Sequence, residues 1–437
     1  MTTIAILGAG MAGFGAAHRF HEAGVPSILY EKMPFHGGHT ASYVFNNGFT
    51  FDDGPHISFT ADERIKMLFA ESVNQEYRTI HARVNNYWRG HWIKHPVQCN
   101  LHGIPTDLLV RILSDFVHAK GPPATKISTY KAWLFAAYGQ TFAETFPMEY
   151  GLKNHTTSAE NITIDWLGPR MYRPSLEEVL RGALCPTTPD VHYITEFRYP
   201  LRNGFVSFLN QFVKQTELLV DHQLVSLDPK AHRLRFANGS ECAYDHVISS
   251  IPLPALVPMI RGVPQDVIDA AKRLAWTSVV MVNVGVDRPD LLDAHWTYFY
   301  DRDICFTRLS TPHMQSPHNV PSGAGSLQAE IYVSEKYRPL DRPVDAYIDP
   351  VLQDLRRCGI LREDDRILFQ EARFVPYANV IFDLERLAAL ATVRGYLDDI
   401  GVIACGRYGE WGHQWTDESF ISGENAAQTV LDRVASA

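Results

Sequence analysis

A glycine-rich turn near the start of the chain constrains the fold more than any other feature. The apolar residues 3–7 predict a short strand that runs directly into Gly8-Ala-Gly10-Met-Ala-Gly13. These glycines open a helix predicted over Met11–Glu22, which Gly24 ends, since glycine is a common helix stop signal. A second strand is predicted over residues 27–30. The order of strand, glycine turn, helix and strand predicts a Rossmann-like nucleotide-binding unit.

Each glycine of the turn has a separate physical role. Gly8 permits the tight turn, Gly10 lets a pyrophosphate approach the backbone, and Gly13 lets the helix pack closely on the strand. The helix N-terminus supplies free N–H groups and a positive dipole end for phosphates. Glu31 follows the second strand, where its carboxylate can accept hydrogen bonds from ribose hydroxyls and would repel a 2′-phosphate. The turn and Glu31 together predict a dinucleotide site.

The composition indicates a globular protein with a large core. Of 437 residues, 46% are hydrophobic and 20% are charged, and this length predicts about two or three domains. The net charge of −9 argues against a dedicated nucleic-acid binder. No apolar run of about 18 residues predicts a transmembrane helix, and the glycine-broken start without a basic leader is not a signal peptide. Six scattered cysteines without a CxxC pair predict free thiols in a reducing compartment, so we expect a cytoplasmic protein.

The chain beyond the second strand favours FAD over NAD. An NAD enzyme usually continues through further βαβ units, but here a flexible turn follows, Gly37-Gly38-His39-Thr40-Ala41-Ser42. Near the C-terminus, Gly406-Arg407-Tyr408-Gly409-Glu410-Trp411 precedes a helix that is opened by residues 416–420. That helix has a face of small residues, which are Ser422, Gly423, Ala426 and Ala427. It can therefore lie against another backbone or a flat ring, and its N-terminus can stabilise an anionic reduced flavin.

These motifs resemble those of the flavin amine oxidase superfamily. The nearest branch includes protoporphyrinogen oxidase-like proteins and UDP-galactopyranose mutase. The resemblance runs from residue 4 to residue 427 and rests on the glycine turn with Glu31, the Gly37-Gly38 turn, Phe51-Asp52-Asp53-Gly54-Pro55-His56-Ile57, His246-Val-Ile-Ser-Ser-Ile-Pro252, and the segment from Gly406 to Gly423. His39 stands where an arginine often follows the paired glycines, which weakens the substrate analogy with amine oxidases.

The resemblance implies FAD bound non-covalently in an extended pose. Its pyrophosphate would lie at the glycine turn, its adenine near the backbone of residues 224–225, and its isoalloxazine between the turn at residues 54–56 and the loop at residue 406. Cys405 is expected to pack in the core rather than attach the flavin. The expected cofactor-binding residues are Gly8, Gly10, Met11, Ala12, Gly13, Glu31, Lys32, Gly37, Gly38, His39, Thr40, Gly54, Pro55, His56, Val225, Gly406, Arg407, Glu418, Ser419 and Phe420.

We therefore predict an α/β fold in which a discontinuous Rossmann-like FAD-binding domain of the glutathione reductase type is interleaved with a mixed β-sheet substrate domain. The substrate domain carries a helical subdomain at about residues 106–185, where apolar residues follow a helical stripe. Short β-like segments are expected between residues 44 and 92. The FAD-binding domain is assigned to residues 1–85, 218–260 and 395–437, and the substrate domain to residues 86–217 and 261–394.

Four residues are candidates for the chemistry, each with a structural alternative. His56 is expected beside the flavin, through its imidazole or its backbone, or else simply packs the turn. Arg308 resembles the arginine that binds a substrate diphosphate in sugar-nucleotide mutases, and the alternative is an ion pair at a sheet edge. Tyr377 resembles a substrate-contacting tyrosine, and Arg407 can bind an anionic substrate or the carbonyl edge of the flavin. Trp296, Trp411 and Trp415 are candidate pocket walls or core residues.

The leading functional hypothesis is an FAD-dependent oxidoreductase that passes hydride or electrons between a small-molecule substrate and the flavin. The first alternative is a pyranose–furanose mutase, an isomerase that uses reduced flavin on a nucleotide sugar without net redox change. The second is a non-catalytic flavoprotein or an NAD-binding regulator. A metal site is not expected, because His91 and His95 on an extended segment would be about 13 Å apart.

Overall fold

The computed structural model describes residues 2–122, 127–168, 171–191 and 193–436. Its strands are β1 (Ile4–Leu7), β2 (Ile28–Tyr30), β3 (Ser42–Val44), β4 (Thr50–Asp52), β5 (Tyr77–His81), β6 (Val84–Trp88), β7 (His91–Lys94), β8 (Glu196–Pro200), β9 (Glu217–Leu219), β10 (Leu224–Asp228), β11 (Arg233–Phe236), β12 (Glu241–Ala243), β13 (His246–Ser249), β14 (Trp276–Val286), β15 (Trp296–Phe299), β16 (Arg308–Ser310), β17 (Gly325–Val333), β18 (Ile367–Val380) and β19 (Val402–Ala404).

The α-helices are α1 (Met11–Glu22), α2 (Glu63–Ser72), α3 (Thr106–His118), α4 (Tyr130–Tyr138), α5 (Gln140–Thr145), α6 (Pro147–His155), α7 (Leu176–Leu184), α8 (Asn210–Gln215), α9 (Leu253–Leu256), α10 (Gln265–Arg273), α11 (Pro312–Gln315), α12 (Ile348–Arg357), α13 (Arg386–Asp399), α14 (Gly406–Gly409) and α15 (Thr416–Ala435). Short 3-10 turns occur between them.

A five-stranded parallel sheet in the order β19-β13-β1-β2-β9 forms the centre of the nucleotide-binding part. Its strands come from three separated parts of the chain, which confirms the expected Rossmann-like fold with interleaved parts. Helix α1 covers this sheet and packs directly on α15. A Cβ atom at Gly423 would lie 1.8 Å from the carbonyl oxygen of Ala12, so the two helix backbones are in contact. The small-residue face of the last helix therefore lies against another backbone.

A seven-stranded sheet in the order β18-β14-β17-β16-β15-β6-β7 forms the second part, and its pairings are antiparallel except that β6 and β15 run parallel. The long strands β14 and β17 are almost wholly buried, which suits the Val-rich sequence of β14. Helices α3 to α7 pack beside this sheet, as the helical stripe predicts, with residues 123–126 and 169–170 outside the described structure. The predicted domain limits stay a prediction.

One helix lies within a segment for which the sequence predicts short β-like segments. The segment between residues 44 and 92 contains the helix α2 in addition to short strands. Asp62 caps this helix by accepting hydrogen bonds from the backbone N–H groups of Arg64 and Ile65. Ile65 and Phe69 are both buried, so their four-residue spacing is the helical signal that the sequence offered. Asn238-Gly239, a dipeptide typical of hairpin turns, connects the antiparallel strands β11 and β12, and Gly239 has a positive φ.

Candidate active site

A cavity of about 830 Å³ lies between the parallel sheet, the seven-stranded sheet and the helical subdomain. One part is lined by the glycine turn and by Glu31, and another by tyrosines of the helical subdomain and the second sheet, including Tyr150 and Tyr298. Of the twenty expected cofactor residues, sixteen line this cavity. The exceptions are Gly13, Val225, Glu418 and Phe420.

The glycine turn forms a cradle in which side chains have no room. Gly8 has a φ of 99°, and a Cβ there would lie 2.5 Å from Ser250 Oγ. A Cβ at Gly38 would lie 3.2 Å from the Cα of Gly10, so the two glycine turns approach each other backbone to backbone. Gly13 lies beneath the cradle, where a Cβ would be 1.9 Å from the Gly8 carbonyl oxygen. Gly13 therefore allows close packing of helix on strand, and Gly8, Gly10 and Gly38 leave backbone exposed to the cavity.

Glu31 is buried at the end of β2, beside the cradle. Its Oε2 accepts a hydrogen bond of 2.8 Å from the Ala9 N–H, and its Oε1 accepts one of 2.9 Å from the Met33 N–H. Each oxygen keeps acceptor capacity for a ribose hydroxyl. Leu224 lines the adjoining wall, whereas the side chain of Val225 is 48% exposed and points away from the cavity. Leu224 is thus the residue of this strand whose side chain lines the cavity.

The C-terminal segment closes the opposite side of the cradle. Gly406 has a φ of 73°, and a Cβ there would lie 2.6 Å from the Cβ of Ala12. Its N–H donates a 2.8 Å hydrogen bond to Ser422 Oγ on α15. Ser419 lines the cavity at the start of that helix, whereas Glu418 accepts a hydrogen bond from the Trp415 N–H and Phe420 is fully buried in the core. Glu418 therefore stabilises the start of α15 through a hydrogen bond, and Phe420 packs the first turn of that helix into the core.

Two of the histidines that line the cavity, His39 and His56, have tautomers fixed by backbone carbonyl groups. His39 Nε2 lies 2.8 Å from the carbonyl oxygen of Pro376, and His56 Nδ1 lies 3.1 Å from that of Gly54. A carbonyl oxygen only accepts, so each of these nitrogens carries the proton and the other ring nitrogen keeps a lone pair. Burial lowers the pKa of His39 to about 4 and that of His56 to about 3. Both rings are neutral at neutral pH.

The turn at residues 54–56 is anchored by a buried acid. Asp52 Oδ1 accepts hydrogen bonds from the Ser42 hydroxyl at 2.5 Å and the Phe205 N–H at 3.1 Å. Asp52 Oδ2 accepts one of 2.7 Å from the Tyr199 hydroxyl. Burial raises the pKa of Asp52 to about 6 despite these donors. The anchor holds Gly54 and the residues after it against the cavity.

Polar side chains on one face of the seven-stranded sheet form the floor of the cavity. The register places Arg373, Met281, Glu330 and Arg308 in one row across β18, β14, β17 and β16. Arg308 Nη2 lies 2.9 Å from Glu330 Oε2, and the Tyr332 hydroxyl donates a 2.5 Å hydrogen bond to the same carboxylate. Burial alone would lower the pKa of Arg308, but Glu330 raises it well above its ordinary value. The Arg308 side chain thus lines the cavity and also forms an ion pair with Glu330.

A bulge in β18 aims further residues at the cavity. The pairing with β14 shifts between residues 277 and 279, and Tyr377 there adopts a φ of 59°. Its ring stacks on Trp276 with centroids 4.8 Å apart. Asn379 follows, and its Oδ1 accepts a 2.7 Å hydrogen bond from Arg407 Nη2. The four expected catalytic residues, His56, Arg308, Tyr377 and Arg407, therefore all line one cavity.

The tryptophans divide between the cavity and the core. Trp415 lines the cavity, and Phe59 packs edge-on against it with centroids 4.9 Å apart. Trp296 and Trp411 are buried in hydrophobic clusters and take the alternative role expected from the sequence. Cys405 is buried as well. In the described ranges there is no group of three or more metal-binding side chains and no helix long and apolar enough to span a membrane.

Comparison with known proteins identifies the family. A model of the NAD(P)-binding Rossmann-like domain matches residues 6–72, and one of the flavin containing amine oxidoreductases matches residues 157–431. The second match covers more than half of the chain. The chain belongs to the flavin containing amine oxidoreductase family. FAD is accordingly its cofactor.

Solved structures refine this comparison. The structure of a reduced UDP-galactopyranose mutase superposes with a TM-score of 0.92 and 25% identity, covering 99% of this chain and 96% of that one. A protein from Exiguobacterium sp. 255-15, provisionally called a protoporphyrinogen oxidase, shares the fold with a TM-score of 0.74 and 15% identity over 98% of each chain. A curated relative, the 15-cis-phytoene desaturase of Synechococcus elongatus, is 37% identical over 68 residues. That match spans 16% of this chain and only 14% of the desaturase.

The residues present fit FAD. Because Gly8, Gly10 and Gly38 have no Cβ, their backbone is accessible to a pyrophosphate. The Glu31 carboxylate keeps acceptor capacity for a ribose hydroxyl. Sequence reasoning missed the cavity-lining residues Glu330, Tyr332, Asn379, Tyr150 and Tyr298. A signal for the first two existed, because residues 328, 330 and 332 alternate as polar positions within an otherwise apolar strand.

Proposed function

We propose that this chain is a flavin-dependent isomerase that acts on a nucleotide sugar, as a pyranose–furanose mutase does. The observation that carries the proposal is the arginine-bearing floor of the cavity, where Arg308 and Arg373 face the same space that Arg407 closes from the C-terminal loop. Guanidinium groups suit bidentate binding of phosphoryl oxygens. The overall similarity to a UDP-galactopyranose mutase supports the same assignment.

The proposed division of labour follows from the residues that line each part of the cavity. Bound FAD would supply the redox or nucleophilic chemistry through its isoalloxazine, which is expected between the turn at residues 54–56 and the loop at residue 406. Arg308, held by Glu330, orients phosphoryl oxygens over the floor, and Tyr150 and Tyr298 offer rings and hydroxyls to the sugar or base. Burial raises the pKa of Tyr150 well above its ordinary value, so its hydroxyl remains protonated and can both donate and accept.

His56 and Tyr377 complete the proposed site. The His56 imidazole presents a lone pair to the cavity because its other nitrogen donates to Gly54. A hydroxyl of the sugar can donate to that lone pair, which would orient the ring. The Tyr377 ring is held flat on Trp276 and supplies a fixed wall. Trp415 lines the cavity, and the edge-on contact with Phe59 holds its ring as a further apolar wall.

An oxidoreductase is the second candidate, and the match to the flavin containing amine oxidoreductases favours it. A cationic amine is a poor ligand for this cavity, since its arginines would repel it and the Glu330 carboxylate is already engaged by Arg308 and Tyr332. An oxidised substrate of this protein is therefore expected to be neutral or anionic. The two candidates differ in whether the substrate exchanges electrons with the flavin.

The test uses the FAD-loaded protein, reduced with dithionite under anaerobic conditions and mixed with UDP-galactopyranose and other UDP-sugars. Ring isomers are separated by chromatography and identified by carbon NMR. We expect conversion with the reduced protein, none with the oxidised protein, and a loss of at least tenfold in Arg308→Met. The matched control is Arg233→Met, which removes an arginine from an exposed strand pair away from the cavity.

Two outcomes would overturn the proposal. The first is the absence of both binding and conversion for every UDP-sugar tested with reduced, FAD-loaded protein. The second is net bleaching of oxidised flavin by a substrate without any isomerisation, which would establish the oxidoreductase instead. A protein that binds FAD but shows neither reaction with these sugars, nor any reoxidation by oxygen, would favour a non-catalytic flavoprotein.

A further inference from the structure

The three arginines of the cavity differ in their counter-charges. Arg308 lies 2.9 Å from the carboxylate of Glu330, and Arg373 lies 2.9 Å from that of Glu371. Arg407 instead contacts the amide of Asn379. Among the described residues, no carboxylate oxygen lies within 4.0 Å of its guanidinium. Two of the three cations are therefore neutralised by the protein, and Arg407 is not.

A second observation shows that Arg407 has unused donor capacity. Its Nε is buried and makes no hydrogen bond in the described structure. A buried N–H of a charged group without an acceptor is unfavourable, so a ligand that brings an acceptor to this position gains free energy. Arg407 also lines the cavity. The unpaired charge and the unpaired N–H belong to the same side chain and adjoin the same space.

The amide of Asn379 has only one favourable orientation. Its Oδ1 must face Arg407, because the guanidinium only donates. The Tyr332 hydroxyl, which lines the same cavity, donates its hydrogen bond to Glu330, so the carboxylate of this region is engaged by Arg308 and Tyr332. An aspartate at position 379 would keep the acceptor for Arg407 but would add a negative charge 2.7 Å away.

We infer that Asn379 is a specificity-determining residue: it orients Arg407 without neutralising it and so reserves that guanidinium for an anionic group of the substrate, a phosphoryl or carboxylate group. This inference rests on the proposed function and goes beyond it, because it adds to Arg308 a second anion-binding side chain, Arg407, whose charge the protein leaves uncompensated. Residue 379 carries an amide and not a carboxylate, so the charge of Arg407 stays uncompensated, and this creates the subsite.

The experiment compares wild-type holoprotein with Asn379→Asp, Arg407→Met and the double variant. The probes are UDP, inorganic pyrophosphate and the uncharged nucleoside uridine, and binding is measured by calorimetry on protein saturated with FAD. We expect Asn379→Asp to weaken UDP and pyrophosphate binding by roughly tenfold to a hundredfold, the range for a charged hydrogen bond, and to leave uridine unchanged. The double variant should bind no worse than Arg407→Met alone. Asn238→Asp, on the exposed hairpin, adds the same charge away from the cavity and should bind like wild type.

The outcomes separate this inference from the proposed function. Unchanged affinity for both anions in Asn379→Asp and Arg407→Met would overturn the inference, even if the protein converts a UDP-sugar. Binding of pyrophosphate but not UDP, lost in both variants, would support the subsite and count against a nucleotide sugar. Weaker binding of FAD, with unchanged anion binding to the saturated protein, would show that Arg407 serves the cofactor, and the inference would fail. Arg407→Met provides the test if Asn379→Asp does not fold.

Discussion

The contact between α1 and α15 makes Gly423→Ala a sharp test of the packing around the cofactor cradle. A Cβ at this position would lie 1.8 Å from the Ala12 carbonyl oxygen and 2.8 Å from the Ala16 nitrogen. Ordinary contacts begin near 3.4 Å, so the helix backbones must separate by about 1.6 Å. No side-chain rotation can relieve the overlap, because the atoms on both sides are backbone.

The magnitude follows from two opposing effects. Alanine is favoured over glycine within a helix by about 1 kcal/mol, whereas overpacking typically costs about 1–3 kcal/mol, and backbone overlap lies at the upper end. The net loss of stability is therefore expected to be about 2 kcal/mol, which lowers Tm by about 2 °C in a chain of 437 residues. Ala12 lines the cavity, so the stabilisation that added FAD confers should decrease as well.

The assay is thermal unfolding followed by circular dichroism, with and without saturating FAD. Gly395→Ala is the matched control, because this residue lies within α13 and a Cβ there would meet nothing within 4 Å. The control should raise Tm slightly through helix propensity alone. A Tm for Gly423→Ala equal to or above that of the wild type would refute the inferred contact between the helix backbones.

Two further predictions concern stability outside the cradle. Asp62→Ala removes the cap of α2 and should lower the free energy of unfolding by about 1 kcal/mol, measured by thermal unfolding, with Asp62→Ser restoring most of it. Burial lowers the pKa of His155 to about 4, below its ordinary value of 6.5, so the wild type should lose about 3 kcal/mol as pH falls through that interval, because only the unfolded chain takes up the proton. Unfolding titrations of His155→Asn between pH 7 and about pH 4 should show a flatter profile, and a profile identical to that of the wild type would contradict the assignment.

The nucleotide-binding part was largely predictable because its signals are local. The strand, the glycine turn and the helix Met11–Glu22 appear where the sequence places them. Positive φ values at Gly8 and Gly37 are properties that few residues other than glycine tolerate. The expected cofactor residues along these turns line the cavity for the same reason. Val225 stays a prediction, because the contact expected of it is made by its backbone, whereas the structure shows that its side chain is on the outward face.

The floor of the cavity was less predictable because strand register decides it. Arg308 was recognised as a candidate, but its partner Glu330 lies on the next strand and meets it only through the antiparallel pairing of β16 with β17. Asn379 reaches Arg407 because a bulge displaces β18 against β14. Neither pairing follows from the spacing of residues along the chain. The choice between an anion site and an ion pair at Arg308 likewise needed the structure, which shows the ion pair facing the cavity.

By itself the sequence determined the Rossmann-like unit, the family resemblance and the cofactor, because glycine conformations, helix stops and short apolar strands act within a few residues of one another. Only the tertiary structure decided which charges are neutralised, which tryptophans are core, and which face of each strand meets the cavity. Those properties depend on crossings and registers between segments that lie from about twenty to several hundred residues apart in the chain. A one-residue shift in a strand reverses which side chains face the cavity, and packing of the whole sheet selects among such registers.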